Sequence, residues 1–176
     1  QKNPNVVVVC GGPNISYQDE WVRNFLIRHS FIDYVVPFNG EIPLLGIVES
    51  ILFENSKKNY CIEGAYYLEG EKKHLIFNEL QTKLDNLDLA PSPYLLGLMD
   101  KFFPSSNLES PFNLAPFIET NRGCPYRCTF CHTANLRYSK IITKENDTFR
   151  AEMEIFAERM KDYPDVPLYI ADNNFG

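Results

Sequence analysis

The sequence predicts an α/β fold in which a doubly wound unit of alternating strands and helices is followed by a second unit of strand, loop, helix and strand. Three observations predict it. The β-branched run at 6–10 ends in Gly11-Gly12-Pro13, apolar residues at helical spacing follow each of the early strands, and the strand–helix–strand order returns after a proline-rich stretch.

In the first unit, Val6-Val7-Val8-Val9-Cys10 reads as a strand buried on both faces, as in a parallel sheet, closed by a tight glycine turn. Ser16 with Asp19 can cap a helix whose Trp21, Val22, Phe25 and Leu26 share one face. Residues 32–36 make a second strand, residues 38–41 a turn, and Leu44, Leu45, Val48, Ile51 and Leu52 a second helical stripe. Residues 62–77 read as a hairpin turning at Glu69-Gly70-Glu71, on the edge of this unit. A connector rich in Pro and Ser follows, with one short helix at 94–103. The second unit opens with a strand at 116–120, which delivers the chain into a cysteine loop. A helix from about Thr148 carries Phe149, Met153, Phe156 and Met160 on one side, and a strand at 166–171 follows it.

Composition supports a globular chain, since 44% hydrophobic and 14% aromatic residues can bury a core. A net charge of -6 argues against a nucleic-acid surface, which needs a basic face to neutralise phosphates. No apolar run approaches the ~18 residues that span a bilayer, and no signal-peptide pattern opens the chain, so a cytoplasmic location without membrane contact is expected. Of five cysteines, three lie within eight residues, which suits a metal site better than a disulfide framework. Cys10 and Cys61 are expected to be buried thiols. The absence of an initiator Met and the apolar strands at both ends predict a piece of a longer protein.

The cysteine loop reads Asn121-Arg122-Gly123-Cys124-Pro125-Tyr126-Arg127-Cys128-Thr129-Phe130-Cys131-His132. Three thiolates spaced by three and then two residues can ligate three irons of one cubane cluster and leave the fourth iron open for a chelating substrate. Gly123 and Pro125 would shape the turn, and Arg122, Arg127 and His132 would offset the cluster's negative charge. The three Sγ atoms are expected to converge. Zinc could use the same thiolates with His132, although adjacent Cys131 and His132 fit one tetrahedron poorly. A structural, non-catalytic iron–sulfur or zinc module is therefore the rival to an enzyme.

This loop resembles the CxxxCxxC signature of the radical SAM superfamily, including the aromatic residue before the last cysteine. The resemblance implies a [4Fe-4S] cluster on Cys124, Cys128 and Cys131, and reductive cleavage of S-adenosylmethionine to a 5'-deoxyadenosyl radical. Phe130 would lie along the adenine. Asp172 and Asn173, after the second strand of a partial TIM-like barrel, would help hold the methionine moiety; a strand-ending turn is the other reading of that pair.

The earlier segment, VVVVCGGPNIS, resembles the last strands of a cobalamin-binding domain, with Gly11 and Gly12 admitting the cofactor's nucleotide tail. Residues 38–44 look like the Gly-Glu turn of the cobalamin-linked branch, with Phe38-Asn39 in place of its first Gly-Glu pair. The resemblance implies a partial Rossmann-like, cobalamin-binding-like unit at 1–77, a linker at 78–113 and the start of a radical SAM barrel at 114–176. The branch's Asp-x-His-x-x-Gly cobalt-ligand motif is absent, and His29 and His74 read as structural or surface residues. Truncation explains that absence best, and the chain as given is expected to bind cobalamin poorly. The implied function is cobalamin-dependent radical methylation or rearrangement of an unknown small molecule or peptide, with a flavodoxin- or ferredoxin-type protein as reductant.

Overall fold

The computed structural model describes residues 6–12, 14–53, 62–71, 73–80, 84–103, 115–131 and 139–175. These fall into two compact units, 1–83 and 84–176. Cys61, Pro13, His132 and residues 104–114 lie outside the described residues.

The first unit runs β1 (Val9–Gly11), α1 (Asp19–Arg28), β2 (Tyr34–Val36), α2 (Glu41–Phe53), β3 (Tyr66–Glu69) and β4 (His74–Phe77). One sheet holds them in the order β1-β2-β3-β4. β1 lies parallel to β2, with Val9 opposite Tyr34 and Gly11 opposite Val36, whereas β3 and β4 form an antiparallel hairpin added beside β2. Side chains alternate across β2 as a strand requires. Val35 packs with Val22 and Leu26 of α1, while Tyr34 and Val36 pack with Ile47 of α2 and with Tyr67. The two helices therefore cover opposite faces of the sheet, which is the doubly wound arrangement the sequence predicts. Across the sheet, the Tyr66 hydroxyl shares its proton between the Tyr17 carbonyl and Asp19 Oδ1, both at 3.1 Å.

Three local expectations change. Ser16 Oγ accepts from Gln18 N–H at 3.2 Å, and the N-cap of α1 is Gln18 with no side-chain cap; Asp19 is drawn to the Tyr66 hydroxyl instead. In α2 the inward residues are Pro43 and Ile47, while Leu44, Leu45, Val48, Ile51 and Leu52 are exposed. This helix is apolar nearly all round, so periodicity cannot choose its buried face. Pro43 is tolerated because the first turn needs no N–H from it. β1 is exposed at Val9 and Gly11 and leaves Cys10 half-buried, because β2 is its sole strand neighbour among the described residues.

The second unit holds β5 (Phe117–Ile118), β6 (Asn121–Arg122), β7 (Ile142–Thr143), α3 (Asn146–Met160) and β8 (Tyr169–Ile170). β5 and β8 pair in parallel, joined by a crossover that contains α3, and β6 pairs antiparallel with β7. Ile118, Phe156 and Phe103 form the centre of its core, with Phe149, Met153 and Met160 packed against them. These are the helix residues the sequence spacing selects. The segment expected to be helical at 94–103 is instead a run of turns ending in a 3-10 turn, Asp100–Phe102. Gly97 at φ 68° breaks the helical path there. Tyr94 remains anchored, meeting Phe156 edge-on at 4.7 Å and donating its hydroxyl to the Phe117 carbonyl at 2.7 Å. No helix among the described residues is long and apolar enough to cross a membrane.

Candidate functional site

The cysteine loop hangs between β6 and β7, whose pairing sets Arg122 opposite Ile142. It leaves the sheet at Gly123, a buried residue at φ 104°, a conformation that glycine adopts without the strain a side chain would bring. Cys124 is half-buried beside it, and Cys128 and Cys131 are exposed. One turn links the latter two, since Cys131 N–H donates to the Cys128 carbonyl at 3.0 Å. None of Cys10, Cys124, Cys128 and Cys131 is in a disulfide. Phe130 is 91% exposed.

The expected convergence of the three sulfur atoms is not observed: among the described residues no three His, Cys, Asp or Glu side chains are gathered closely enough to hold a metal ion. The physical reason lies in the ligands. Thiols share no attraction until a cation joins them, and metal sites commonly close on binding. The donor chemistry still fits a cluster, because neighbouring carboxylates are already engaged. Glu119 holds Arg122 in a two-point pair at 2.8 and 2.7 Å, and Asp172 is bonded to Thr120 and Asn121. What remains for a metal is sulfur, the soft donor set of iron–sulfur and zinc sites.

The Glu119 pair also revises the expectation for Arg122, whose charge is answered by that carboxylate before it reaches the thiols. Arg127 stays exposed within the loop. The chain around the loop is held from two sides. On the β8 side, Asp172 Oδ1 accepts Thr120 N–H at 2.7 Å and Asn121 N–H at 3.2 Å, Oδ2 accepts the Thr120 hydroxyl and Asn121 Nδ2, and Asn173 Oδ1 lies 3.4 Å from Gly123 N. On the other, Lys144 N–H donates to the Thr120 carbonyl at 2.9 Å, and Lys144 Nζ meets Glu152 of α3 at 2.5 Å. Sequence reading passed over Thr120, Asn121, Lys144 and Glu152. Their partners are distant along the chain, and the one local signal was a polar Thr-Asn pair ending an apolar strand.

The paired glycines of the first unit separate in kind. A Cβ on Gly11 would stand 2.4 Å from the Val36 carbonyl oxygen, so close pairing of β1 with β2 already requires glycine there. Gly12 sits at φ 96°, donates its N–H to that same carbonyl at 3.1 Å, and has open space where a side chain would be. It lies at the carboxyl end of a parallel strand, where α/β sheets place their ligands.

No protein-family profile matches the chain. The cobalamin-dependent radical SAM methyltransferase TokK of Streptomyces tokunonensis is 31% identical over all of this chain. The 2-(S-pantetheinyl)-carbapenam-3-carboxylate methyltransferase of Streptantibioticus cattleyicolor is 28% identical over the same extent. The chain spans 24% of the length of each. Among solved structures, the cobalamin-dependent radical enzyme OxsB, with aqua-cobalamin and S-adenosylmethionine bound, matches with a TM-score of 0.59 at 20% identity, over 96% of this chain and 21% of its own. TsrM from Kitasatospora setae, a radical S-adenosylmethionine methyltransferase with cobalamin and a [4Fe-4S] cluster bound, matches with a TM-score of 0.57 at 18% identity, over 96% of this chain and 31% of its own. The likeness to these structures is one of fold.

Proposed function

We propose that this chain, 31% identical over its whole length to the cobalamin-dependent radical SAM methyltransferase TokK, is the part of such an enzyme that carries the cluster loop and strands of a cobalamin-binding sheet. One observation carries the reading. Three thiols outside any disulfide occupy a loop that leaves the sheet directly after β5 and β6, in a β-loop-α-β unit whose outer strands pair in parallel.

Cys124, Cys128 and Cys131 would hold three irons of a [4Fe-4S] cluster. When bound, that group supplies an open iron and one electron for reductive cleavage of S-adenosylmethionine. The protein's own contribution is placement. Gly123 turns the chain out of the sheet, Asp172 and Asn173 fix the backbone that precedes Cys124, and the exposed ring of Phe130 offers an apolar plane on which an adenine can stack. Gly12 would let a cobalamin tail approach the backbone at the end of β1. The reaction is methyl transfer or rearrangement on a small molecule or peptide, with a flavodoxin- or ferredoxin-type protein as electron donor.

Anaerobic reconstitution of the full-length protein, dithionite reduction and addition of S-adenosylmethionine test this reading. Cluster assembly with formation of 5'-deoxyadenosine or methylated product is the expected result. A cluster that forms yet turns over no S-adenosylmethionine, or a chain that retains only zinc, would favour a structural metal module instead.

A further inference from the structure

The end of β8 is bonded to the approach of the cysteine loop more densely than sheet pairing requires. Parallel pairing accounts for Ala171 N–H donating to the Ile118 carbonyl at 2.8 Å. Beyond it, Asp172 takes four donors from two consecutive residues: the backbone N–H groups of Thr120 and Asn121 on Oδ1, and the Thr120 hydroxyl and Asn121 Nδ2 on Oδ2. A carboxylate has about four acceptor sites, and here the chain itself fills them. Thr120 is fixed at both ends of its peptide, since Lys144 N–H binds its carbonyl at 2.9 Å.

Resting on the cluster reading above, we infer that Asp172 is a positioning residue that sets the course of the chain into Cys124, rather than a ligand of S-adenosylmethionine. A ligand ammonium would have to displace bonds that hold two backbone N–H groups, each of which would then lose its acceptor. The carboxylate instead fixes Thr120 and Asn121, and Gly123 follows at φ 104° with its N–H directed at Asn173, so the first thiol starts from a defined point. Asp172 thereby controls where the cluster is built and how rigidly Cys124 meets its iron.

Amide hydrogen exchange on the full-length, metal-free protein tests this without any cluster. D172N keeps the size of the side chain and one oxygen that can still accept the two N–H groups, but places an NH₂ group against the Thr120 hydroxyl and Asn121 Nδ2, whereas D172A removes the acceptors outright. In D172A the Thr120 and Asn121 amides should exchange about tenfold faster or more, and in D172N by a smaller factor, while amides around Phe156 stay protected and show that the unit remains folded. After anaerobic reconstitution, both variants should bind less iron and give a broadened resonance spectrum of the reduced cluster, with S-adenosylmethionine affinity per assembled cluster unchanged. Unaltered exchange at Thr120 and Asn121 in D172A would overturn the inference. So would full iron content with weakened S-adenosylmethionine binding, the pattern of a ligand. Failure of the wild-type protein to assemble a cluster would count against the proposed function alone, and the exchange result would still decide what Asp172 fixes.

Discussion

Asp172 and Thr120 are bound to one another twice, through the Thr120 backbone N–H and through its hydroxyl, although 52 residues separate them. The contact joins the ends of β8 and β5 just before the cysteine loop. A second tie, between Lys144 and Glu152, lies on the return side of the same segment, and its energetics differ because Glu152 is only 1% exposed.

Lys144→Met should therefore destabilise the protein by about 3 kcal/mol, since it strands a buried carboxylate without its counter-charge. Replacing both partners, as in K144M with E152M, should recover most of that loss, because two apolar side chains leave no orphaned charge. Urea denaturation of the single and double variants measures the coupling. Equal losses in all of them would mean that the pair contributes packing and not charge compensation.

The inward face of α2 can be read by truncation. Ile47, 1% exposed, packs with Tyr34 and Val36, and its change to Ala should cost about 3 kcal/mol. Leu52 is 67% exposed, and Leu52→Ala should cost less than about 0.5 kcal/mol. Denaturant midpoints that ranked the two variants in the opposite order would place the helix the other way round.

Gly11 and Gly12 should respond unequally to alanine. Gly11→Ala drives a methyl into the Val36 carbonyl and should cost about 2 kcal/mol or more by loosening β1 from β2. Gly12→Ala meets no atom but adopts φ 96°, for a cost of about 1 kcal/mol. Thermal unfolding separates these values. In the full-length protein, loss of cobalamin affinity on Gly12→Ala beyond its effect on stability is the outcome expected of a backbone that meets the cofactor.

Phe130→Ala should leave stability unchanged, because the ring is exposed and buries little on folding. With a cluster in place, the same change should weaken S-adenosylmethionine about tenfold, the ordinary scale of one lost base-on-aromatic stack. Equilibrium binding to the reconstituted variant checks the figure, with iron content measured in parallel to show that the loop still holds its metal.

Elements announced by local pattern were legible in the sequence: the strands of the first unit, including the hairpin at β3 and β4, β5 and β8 of the second, the core face of α3 and the three-cysteine loop; the two-residue strands β6 and β7 were too short to leave a pattern. Phe149, Met153, Phe156 and Met160 recur at helical spacing against polar neighbours, so their side of α3 was plain. In α2, by contrast, two apolar faces competed, and only the position of Tyr34, Val36 and Ile62 decides that Ile47 turns inward. The clamp at Asp172 was out of reach for another reason. A hydrogen bond between residues 52 apart leaves no periodic trace, and an Asp-Asn pair after a strand looks the same whether it ends a turn, binds a ligand or holds another strand.

Pairing of Arg122 with Ile142 holds together the two points at which the chain leaves β6 and enters β7, and it needs no metal to do so. Much of the entropy of ring closure is thus supplied by the fold. Were iron to bind one of the three thiolates, the other two would be tethered close to it and would act at a high effective concentration, so that assembly would take the form of a chelation.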